Sequence, residues 1–326
     1  MKFRTELEPE PQEHKISYSD SVIFMGSCFS ENIYKKMDSI KLKVDANPFG
    51  IVYNPISIAE QIQEVLALKI YDETHLEFIN ERWFSFQHHS DFSNSSKEEC
   101  LENINKRLQK AYSNLFNASH LFITLGTANA YWHLDNKNWV SNCHKIPSST
   151  FEKKLLETDH MVSQLSKAIE AVQKVNSKIQ IVFTISPVRH LSDGAFGNQL
   201  SKGRLFDVVH QLKDKYDFVN YFNAYELVLD DLRDYRYFAD DLVHPSSQAI
   251  AYVWEKFVAT FFHTQTVRQQ NQIEKLIQAA SHRPFNPQSE AHQKFIKTAI
   301  FKMEELEKDL PISFLKEKEL LISSQS

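Results

Sequence analysis

Glycine is scarce in this sequence, because only 6 of its 326 residues are glycine, whereas an average protein contains about 7%. Glycine is needed where φ is positive or where the backbone passes close to another group. In a chain that otherwise avoids it, each glycine marks a candidate turn or close approach. Gly26 and Gly126 each end a short apolar run, and Gly50 follows the stretch "NPF".

Cysteine, basic charge and long apolar runs are also limited. The three cysteines, Cys28, Cys100 and Cys143, form no C-x-x-C pair, which favours free thiols in a reducing cytoplasm over a disulfide framework. The net charge of -5 argues against a nucleic-acid surface. No apolar run reaches the roughly 18 residues of a membrane span, and the charged start "MKFRTELEPEPQEHK" is not typical of a secretory signal. We therefore expect a cytoplasmic protein that binds neither nucleic acid nor membrane.

What is present is an alternation of short β-branched or aromatic runs with helical patterns. The predicted strands are residues 22–25, 42–44, 121–125, 179–185 and 218–222. Helical periodicity is found at residues 97–116, 151–175, 199–216 and 246–262. Strands that alternate with helices of this length predict crossover connections and a parallel sheet in an α/β fold. The stretch "YWHLDNKNWV" predicts a small additional hairpin.

The last part of the sequence differs from the rest in its predicted secondary structure. From about residue 264 there is no strand signal, only two helical patterns separated by "SHRPFNPQS". We therefore predict an α/β domain over residues 1–263 and a helical C-terminal extension over residues 264–326. The extension either packs back on the domain or mediates a homodimer.

Several polar segments follow the predicted strands directly. Ser27 and Cys28 come after the first strand, Thr127 after the third, and the stretch "SPVRH" after the fourth. The carboxyl ends of parallel strands share one edge of a sheet, where ligands bind. The stretch "ADDLVHPSSQ" follows the last strand and a short helix, so it can reach the same edge.

Asp241-x-x-His244 in that stretch has a chemical rationale. In a turn, a separation of three residues can place a carboxylate against the imidazole Nδ1, which leaves Nε2 free to accept a proton from a nucleophile. A helix cap beside a surface histidine is the alternative interpretation. The pairing with a glycine-nucleophile turn at the other end of the chain favours catalysis.

Three histidines and several basic residues are further candidates. His88, His89 and His144 follow aromatic or apolar runs and are predicted to line the pocket; their alternative use is as zinc ligands, although their spacing fits no zinc signature. Arg189 is expected either to hold a carboxylate or phosphate or to form an internal salt bridge. A structural role is expected for Lys202, Arg233 and Arg236.

The motif "GSCFSENI" resembles the name-giving motif of the GSCFA-domain family, with Ser30 where the family name has Ala. Further similar blocks, in the same order, are "NPFGIVYNPISIA", "FQHHSDFS", "NCHKIP", "SPVRHLSDGAFGNQLSK" and "LRDYRYFADDLVHPS". The family is grouped with the SGNH (GDSL-like) hydrolases. The resemblance implies a flavodoxin-like three-layer sandwich with a five-stranded parallel sheet. It also implies a nucleophile after the first strand, oxyanion donors from two further blocks and a terminal D-x-x-H.

The nucleophile position departs from the SGNH pattern, which reads Gly-Asp-Ser. Cys28 occupies the Ser position and Ser27 the Asp position. A thiol at a helix N-terminus is expected to have a lowered pKa. Ser27 is the nucleophile if the turn is shifted by one residue, and Cys28 can instead be a small buried hydrophobe.

The oxyanion block departs as well, since Asn129 comes one residue later than in Gly-x-Asn-Asp. The donor is therefore Thr127, Asn129 or a backbone N–H, with further donors from Gly50 and Cys28. The residues predicted to bind the substrate or its oxyanion are Gly26, Asn47, Gly50, Gly126, Thr127, Asn129, His88, His89, His144 and Arg189.

Three hypotheses follow for function. The first is an esterase or acyltransferase without a cofactor, in which Cys28 or Ser27 attacks an ester or thioester of an acylated carbohydrate or small molecule, with coenzyme A thioesters left open as donors. The second is a non-catalytic ligand-binding relative of the hydrolases. The third is a metal-dependent hydrolase built on His88, His89 and His144.

Overall fold

Strands and helices alternate along the computed structural model, which describes residues 4–282 and 286–324. The strands are β1 (Ser21–Gly26), β2 (Lys43–Ala46), β3 (Glu77–Ile79), β4 (Arg82–Phe84), β5 (His120–Leu125), β6 (Asn129–His133), β7 (Asn138–Val140), β8 (Phe151–Leu155), β9 (Gln180–Ile185) and β10 (Val219–Tyr221). The helices are α1 (Cys28–Ser39), α2 (Pro55–Leu66), α3 (Lys97–Asn117), α4 (Thr158–Val175), α5 (Gly194–Lys215), α6 (Ala224–Glu226), α7 (Ser247–Phe261), α8 (Thr264–Ser281), α9 (Glu290–Asp309) and α10 (Leu315–Ser323). A π-helix, Leu227–Leu232, continues α6.

The five strands predicted from the sequence form one parallel sheet in the order β10-β9-β5-β1-β2. Renumbered by position within this sheet, the order is 2-1-3-4-5, which is the flavodoxin-like arrangement. The predicted fold is therefore confirmed. This order places the ends of β1, β5 and β9 side by side at the centre of the sheet.

The three central strands of the sheet, β1, β5 and β9, bury both of their faces, as β1 illustrates. Ile23 and Met25 point into a core shared with helices α2 to α5, and Val22 and Phe24 point into a second core on the opposite side. Alternate residues of a strand face opposite sides of a sheet, so a strand covered on both sides is apolar throughout. The uninterrupted apolar runs in the sequence have this cause.

The second core is aromatic and is closed by elements from both ends of the chain. Helices α1 and α7 cover it, and the C-terminal helices contribute buried residues such as Met303 and Phe314. The N-terminal segment runs along α7, where the N–H of Ile16 donates to the carbonyl of Phe261 at 2.6 Å. The helical extension thus packs back on the domain, whereas the predicted homodimer stays a prediction.

Among the residues that the structure describes, two small antiparallel sheets lie outside the main one, and only part of them was predicted. The hairpin β6–β7 is confirmed, but β8 joins it as a third strand, and β3 pairs with β4. The helix predicted over residues 151–175 is therefore wrong at its start, because residues 151–155 are β8 and α4 begins at Thr158.

The described part of the C-terminal region, residues 264–282 and 286–324, contains one helix more than predicted. Helix α10 follows the two helical patterns that the sequence indicated. The predicted linker "SHRPFNPQS" includes residues 283–285, which lie outside the described residues. Across residues 4–282 and 286–324, none of the helices combines the length and apolar composition required to span a bilayer.

Candidate functional site

The turn after β1 can be made only by glycine. Gly26 has a φ of 127°, and a Cβ at this position would overlap the carbonyl oxygen of Thr124 on the neighbouring strand. Its N–H donates to Oδ1 of Asn47 at 2.9 Å. Asn47 is itself tied to β1, since its N–H donates to the carbonyl of Phe24 at 2.9 Å. The first glycine and the "NPFG" segment therefore form one rigid corner at the edge of the sheet.

Ser27 and Cys28 have different surroundings in this corner. The hydroxyl of Ser27 caps helix α1 by accepting the N–H of Phe29 at 3.3 Å, and the residue is buried. Cys28 is the first residue of α1 and is partly exposed. The Ser27 hydroxyl is thus engaged in structure, and the Cys28 thiol is the more accessible of the two groups.

The expected low pKa of the Cys28 thiol is wrong for the free protein. Burial raises the pKa of Cys28 above its ordinary value, because desolvation disfavours the thiolate. The amide N–H groups of Cys28 and Phe29 and the charge of Lys202 lower the pKa, but burial outweighs them, and Glu31 adds to it. The dipole effect predicted from the helix N-terminus is therefore present but is not the largest contribution.

Asp241 and His244 meet as the sequence predicted. Oδ2 of Asp241 lies 2.6 Å from Nδ1 of His244, and Oδ1 accepts the N–H groups of Val243 and His244, each at 2.9 Å. These hydrogen bonds, led by the backbone N–H of His244, lower the pKa of Asp241 to about 2. The carboxylate is therefore ionised and orients the ring. That Nε2 of His244 reaches the sulfur of Cys28 stays a prediction.

Two glycines of the predicted substrate- or oxyanion-binding set have N–H groups that are already engaged within the protein. The N–H of Gly50 donates to the carbonyl of Asn47 at 2.8 Å, and the N–H of Gly126 donates to the carbonyl of Tyr53 at 2.8 Å. Gly126 instead serves close packing, because a Cβ there would lie 2.9 Å from Cβ of Tyr53. The prediction that Gly50 supplies an oxyanion N–H group is therefore wrong, and the N–H of Gly126, a residue of the predicted substrate- or oxyanion-binding set, is not available for this role either.

Thr127 and Asn129 belong to a hydrogen-bonded network beside the same edge. Nδ2 of Asn129 donates to Oδ2 of Asp193 at 2.9 Å and to Oγ1 of Thr127 at 3.3 Å. The Thr127 hydroxyl lies 3.0 Å from the hydroxyl of Ser201 on α5. Lys153 forms an ion pair with Asp193. Both N–H groups of the Asn129 amide are thus occupied, which corrects its prediction as a free oxyanion donor.

A cleft of about 480 Å³ opens next to this network. Its walls include Tyr53, His89, Asn129, Cys143, Lys153 and His190. The Tyr53 and His190 rings face each other with centroids 5.2 Å apart. Burial, followed by the charge of Lys202, lowers the pKa of His190 to about 4. His190 is therefore a neutral ring in the wall of the cleft at physiological pH.

His88 does not line the cleft, contrary to the prediction. It is fully buried, and its ring stacks on Phe49 at a centroid distance of 4.6 Å with Tyr71 and Phe92 close by. Neither of its ring nitrogens has a hydrogen-bond partner. Desolvation lowers the pKa of His88 to about 3, so it behaves as an aromatic core residue.

The other two histidines, His89 and His144, have partners within the protein. Nδ1 of His89 lies 3.0 Å from a carboxylate oxygen of Asp91. His144 packs on Phe84 at 4.2 Å, and its Nε2 lies 3.0 Å from the carbonyl of Ser85. In the described part of the chain, no group of three or more His, Cys, Asp or Glu side chains converges as metal ligands.

The sequence singled out two further basic residues, Arg189 and Lys202, and the structure places them in different surroundings. Within the described ranges Arg189 forms no ion pair, so its predicted internal salt bridge is not made. Burial raises the pKa of Tyr225, and the charge of Arg189 opposes this rise. Lys202 is only 1% exposed, and sequence reasoning assigned it merely a structural role. The helical period could have indicated that Lys202 is buried. Lys202 precedes the buried Leu205 by three residues and therefore lies on the same inner face of α5.

Two family models match this chain. The GSCFA family model matches residues 21–257, and the model of the GSCFA domain protein C-terminal domain matches residues 273–325. The chain is similar to a carbohydrate esterase family 3 from Talaromyces cellulolyticus, at 8% identity and a TM-score of 0.36 over 78% of this chain and 99% of the esterase. A crystallised acetyl esterase mutant with acetate ion is similar at 8% identity and a TM-score of 0.36, over 79% of this chain and 99% of its own. No curated protein matches the sequence.

Proposed function

The chain belongs to the GSCFA family, and we propose that it is an acyl-transferring enzyme of the esterase type with Cys28 as its nucleophile. The observation that carries this proposal is the Asp241–His244 pair, with Oδ2 and Nδ1 2.6 Å apart. An imidazole held in this way keeps Nε2 available as a general base. The engaged hydroxyl of Ser27 favours Cys28 over Ser27.

In the proposed reaction, His244 takes the proton of the Cys28 thiol, and the sulfur attacks an ester or thioester carbonyl. The S–C bond forms as the bond to the leaving group breaks, and His244 returns the proton to the leaving oxygen or sulfur. Water, in an esterase, or a sugar hydroxyl, in a transferase, then attacks the acyl-enzyme with His244 as base again. The N–H of Cys28 is the proposed oxyanion donor.

The cleft supports a small substrate that carries both apolar and polar groups. The aromatic faces of Tyr53 and Tyr131 border it together with Asn54, Ser141 and Asn142. Aromatic faces next to hydrogen-bonding side chains suit an acylated sugar ring. Coenzyme A thioesters stay predicted donors, with Arg189 as the cation for their phosphates.

Turnover of p-nitrophenyl acetate, with and without a chelator, tests the proposal. We expect chelator-insensitive turnover that Cys28→Ala abolishes. Ser27→Ala should leave partial activity, because it removes only a helix cap of about 1 kcal/mol. A thiol-directed acylating probe should label Cys143→Ala but not Cys28→Ala. Turnover that survives in Cys28→Ala and is lost in Ser27→Ala would move the nucleophile to Ser27.

A non-catalytic ligand-binding role is the second candidate function. The engaged N–H groups of Gly50 and Gly126 favour it, since they leave fewer donors for an oxyanion. The raised pKa of Cys28 favours it too. Binding of a sugar ester by calorimetry without any turnover would support this role over catalysis.

A further inference from the structure

A carboxylate, Asp231, is buried where the loop that carries His244 begins. Asp231 belongs to the π-helix Leu227–Leu232, and its side chain is fully buried. The His244 loop, residues 233–246, follows the π-helix directly, and helix α7 begins after it. Residues of the π-helix and of α7 belong to the second core, so fixed elements adjoin both ends of the loop.

Asp231 joins the two ends of this loop. Its Oδ2 accepts the hydroxyl of Tyr252, on α7, at 2.7 Å. Hydrogen bonds inside the loop set its shape, since the N–H of Ala239 donates to the carbonyl of His244 at 2.7 Å. Such internal bonds do not determine where the loop stands on the domain. The bond between Asp231 and Tyr252 does so, because it ties the two elements from which the loop leaves and to which it returns.

The N-terminal segment reaches the same carboxylate. The N–H of Leu7 donates to Oδ2 of Asp231 at 3.0 Å, and Nε of Arg4 lies 3.4 Å from Oδ1. Arg4 also contacts α7, because its Nη2 donates to the hydroxyl of Tyr252 at 3.3 Å. The partners of Asp231 thus come from the N-terminal segment and from α7, and the carboxylate draws both onto the start of the His244 loop.

Stability alone does not explain a carboxylate at this position. The other buried residues of the π-helix are apolar, namely Leu227, Val228 and Leu232, so Asp231 lies on a face that packs against the core. Replacing a buried ion pair by apolar side chains is often neutral or stabilising. A carboxylate instead requires its donors to lie in defined directions. In addition, π-helices are rare and are frequently found at functional sites.

We propose that Asp231 is a positioning residue for His244, because its contacts with Tyr252 and with the N-terminal segment hold the His244 loop against the domain. The inference rests on the proposed function, in which His244 is the general base. Asp241 orients the imidazole ring within the loop, and Asp231 fixes the position of the loop itself. A general base must lie within hydrogen-bond reach of the proton that it takes, so a displaced loop slows the reaction.

Tyr252→Phe tests the proposal, because it removes the hydroxyl that closes the loop and keeps the ring. We expect amide hydrogen exchange of residues 233–246, measured by peptide mass spectrometry without substrate, to become roughly fivefold faster. For p-nitrophenyl acetate, kcat should fall about tenfold while KM stays unchanged.

Tyr216→Phe is the matched control for this variant. It also removes a hydrogen bond from a tyrosine hydroxyl to a carboxylate, that of Glu170. Tyr216 precedes β10 and therefore lies at the edge of the sheet away from the proposed site. We expect wild-type exchange of residues 233–246 and wild-type kcat. A folded Tyr252→Phe protein whose loop exchanges at the wild-type rate would overturn the proposal.

Asp231→Leu separates positioning from stability. A leucine suits the buried face of the π-helix, so the free energy of unfolding in urea should stay the same or rise. Exchange of residues 233–246 should nevertheless be faster, and kcat should be lower. A loss of stability with faster exchange throughout the chain would assign Asp231 a purely structural role and would overturn the proposal.

Exchange and turnover together show which of the two proposals fails. An inactive wild type whose loop exchange is faster in Tyr252→Phe would overturn the proposed function and would support the attachment of the loop by Asp231. An active wild type whose loop exchange and kcat are the same in Tyr252→Phe would overturn the positioning role alone.

Discussion

The two halves of the proposed catalytic pair are held in contrasting ways. Cys28 lies in a corner fixed by long-range contacts, in which Gly26 fits against Thr124 and is bound by Asn47. His244 lies on a loop that is about half exposed and is oriented by hydrogen bonds to Asp241, three residues away. The comparison shows that contacts with the sheet fix the position of the proposed nucleophile, whereas hydrogen bonds within a local turn fix the orientation of the proposed base.

The largest expected effect is that of His244→Ala on activity. Loss of the general base should lower kcat by about 10³-fold. The free energy of unfolding should change by no more than about 0.5 kcal/mol, because the loop is exposed. His210→Ala, at an exposed histidine that pairs with Asp214 on α5, is the matched control and should keep full activity. Ester turnover and urea unfolding measure the two quantities, and retained activity in His244→Ala would remove this residue from the mechanism.

Gly26→Ala should show the opposite pattern, with its main effect on folding. The added methyl group meets the Thr124 carbonyl at a φ of 127°. We expect the free energy of unfolding to fall by about 4 kcal/mol in urea titrations followed by circular dichroism. A loss below about 1 kcal/mol would show that the corner at Gly26 is not rigid. The corner that holds Cys28 would then not differ in rigidity from the loop that holds His244.

The buried His88, in contrast to the exposed His244, is expected to make the free energy of unfolding depend on pH. Its pKa of about 3 in the folded protein lies below the ordinary value of 6.5, so the unfolded chain binds the extra proton. The contribution of the neutral His88 ring to the free energy of unfolding is fully present above pH 6.5 and is lost as the pH falls towards 3. At pH 5 the loss amounts to about 2 kcal/mol. His88→Phe should remove this loss, because the ring is surrounded by aromatic groups and its nitrogens have no partners. Equal losses between pH 7.5 and pH 5 in both proteins, measured by urea unfolding, would contradict this.

Gly203→Ala should produce the smallest effect and serves as the counterpart of Gly26→Ala. Gly203 lies inside α5, and a Cβ there meets no atom within 4 Å. Alanine is favoured over glycine in helix interiors by up to about 1 kcal/mol. We expect a slight gain in the free energy of unfolding, and a loss would indicate a hidden steric limit on this face of α5.

The sequence predicted the three central strands of the main sheet well because each has a strong local pattern. Strands β1, β5 and β9 are buried on both faces, which makes them continuous apolar runs. Strand β8 lacks such a run, because its stretch "FEKKL" is largely exposed and has the charge pattern of a helix surface. Its pairing with β6 is a tertiary effect that no local pattern contains.

The site was predictable where it depends on short spacing and not where it depends on burial. Asp241 and His244 are three residues apart, and a turn brings them together with local hydrogen bonds. The N–H of Gly126 is engaged by the carbonyl of Tyr53, which lies far away in the sequence. The raised pKa of Cys28 depends on how much of the thiol is covered, which spacing does not report.

The attachment of the N-terminal segment to helix α7 has a consequence for synthesis on the ribosome. The N–H of Ile16 donates to the carbonyl of Phe261, and the carbonyl of Ile16 accepts the Thr266 hydroxyl. The partners of this early segment are therefore translated about 250 residues later. At about 5–20 residues per second, this delay lasts tens of seconds. Throughout it, α1 alone of the two helices α1 and α7 covers the aromatic side of the first strands, and chaperones that hold unfolded chains are expected to bind there until the last helices emerge.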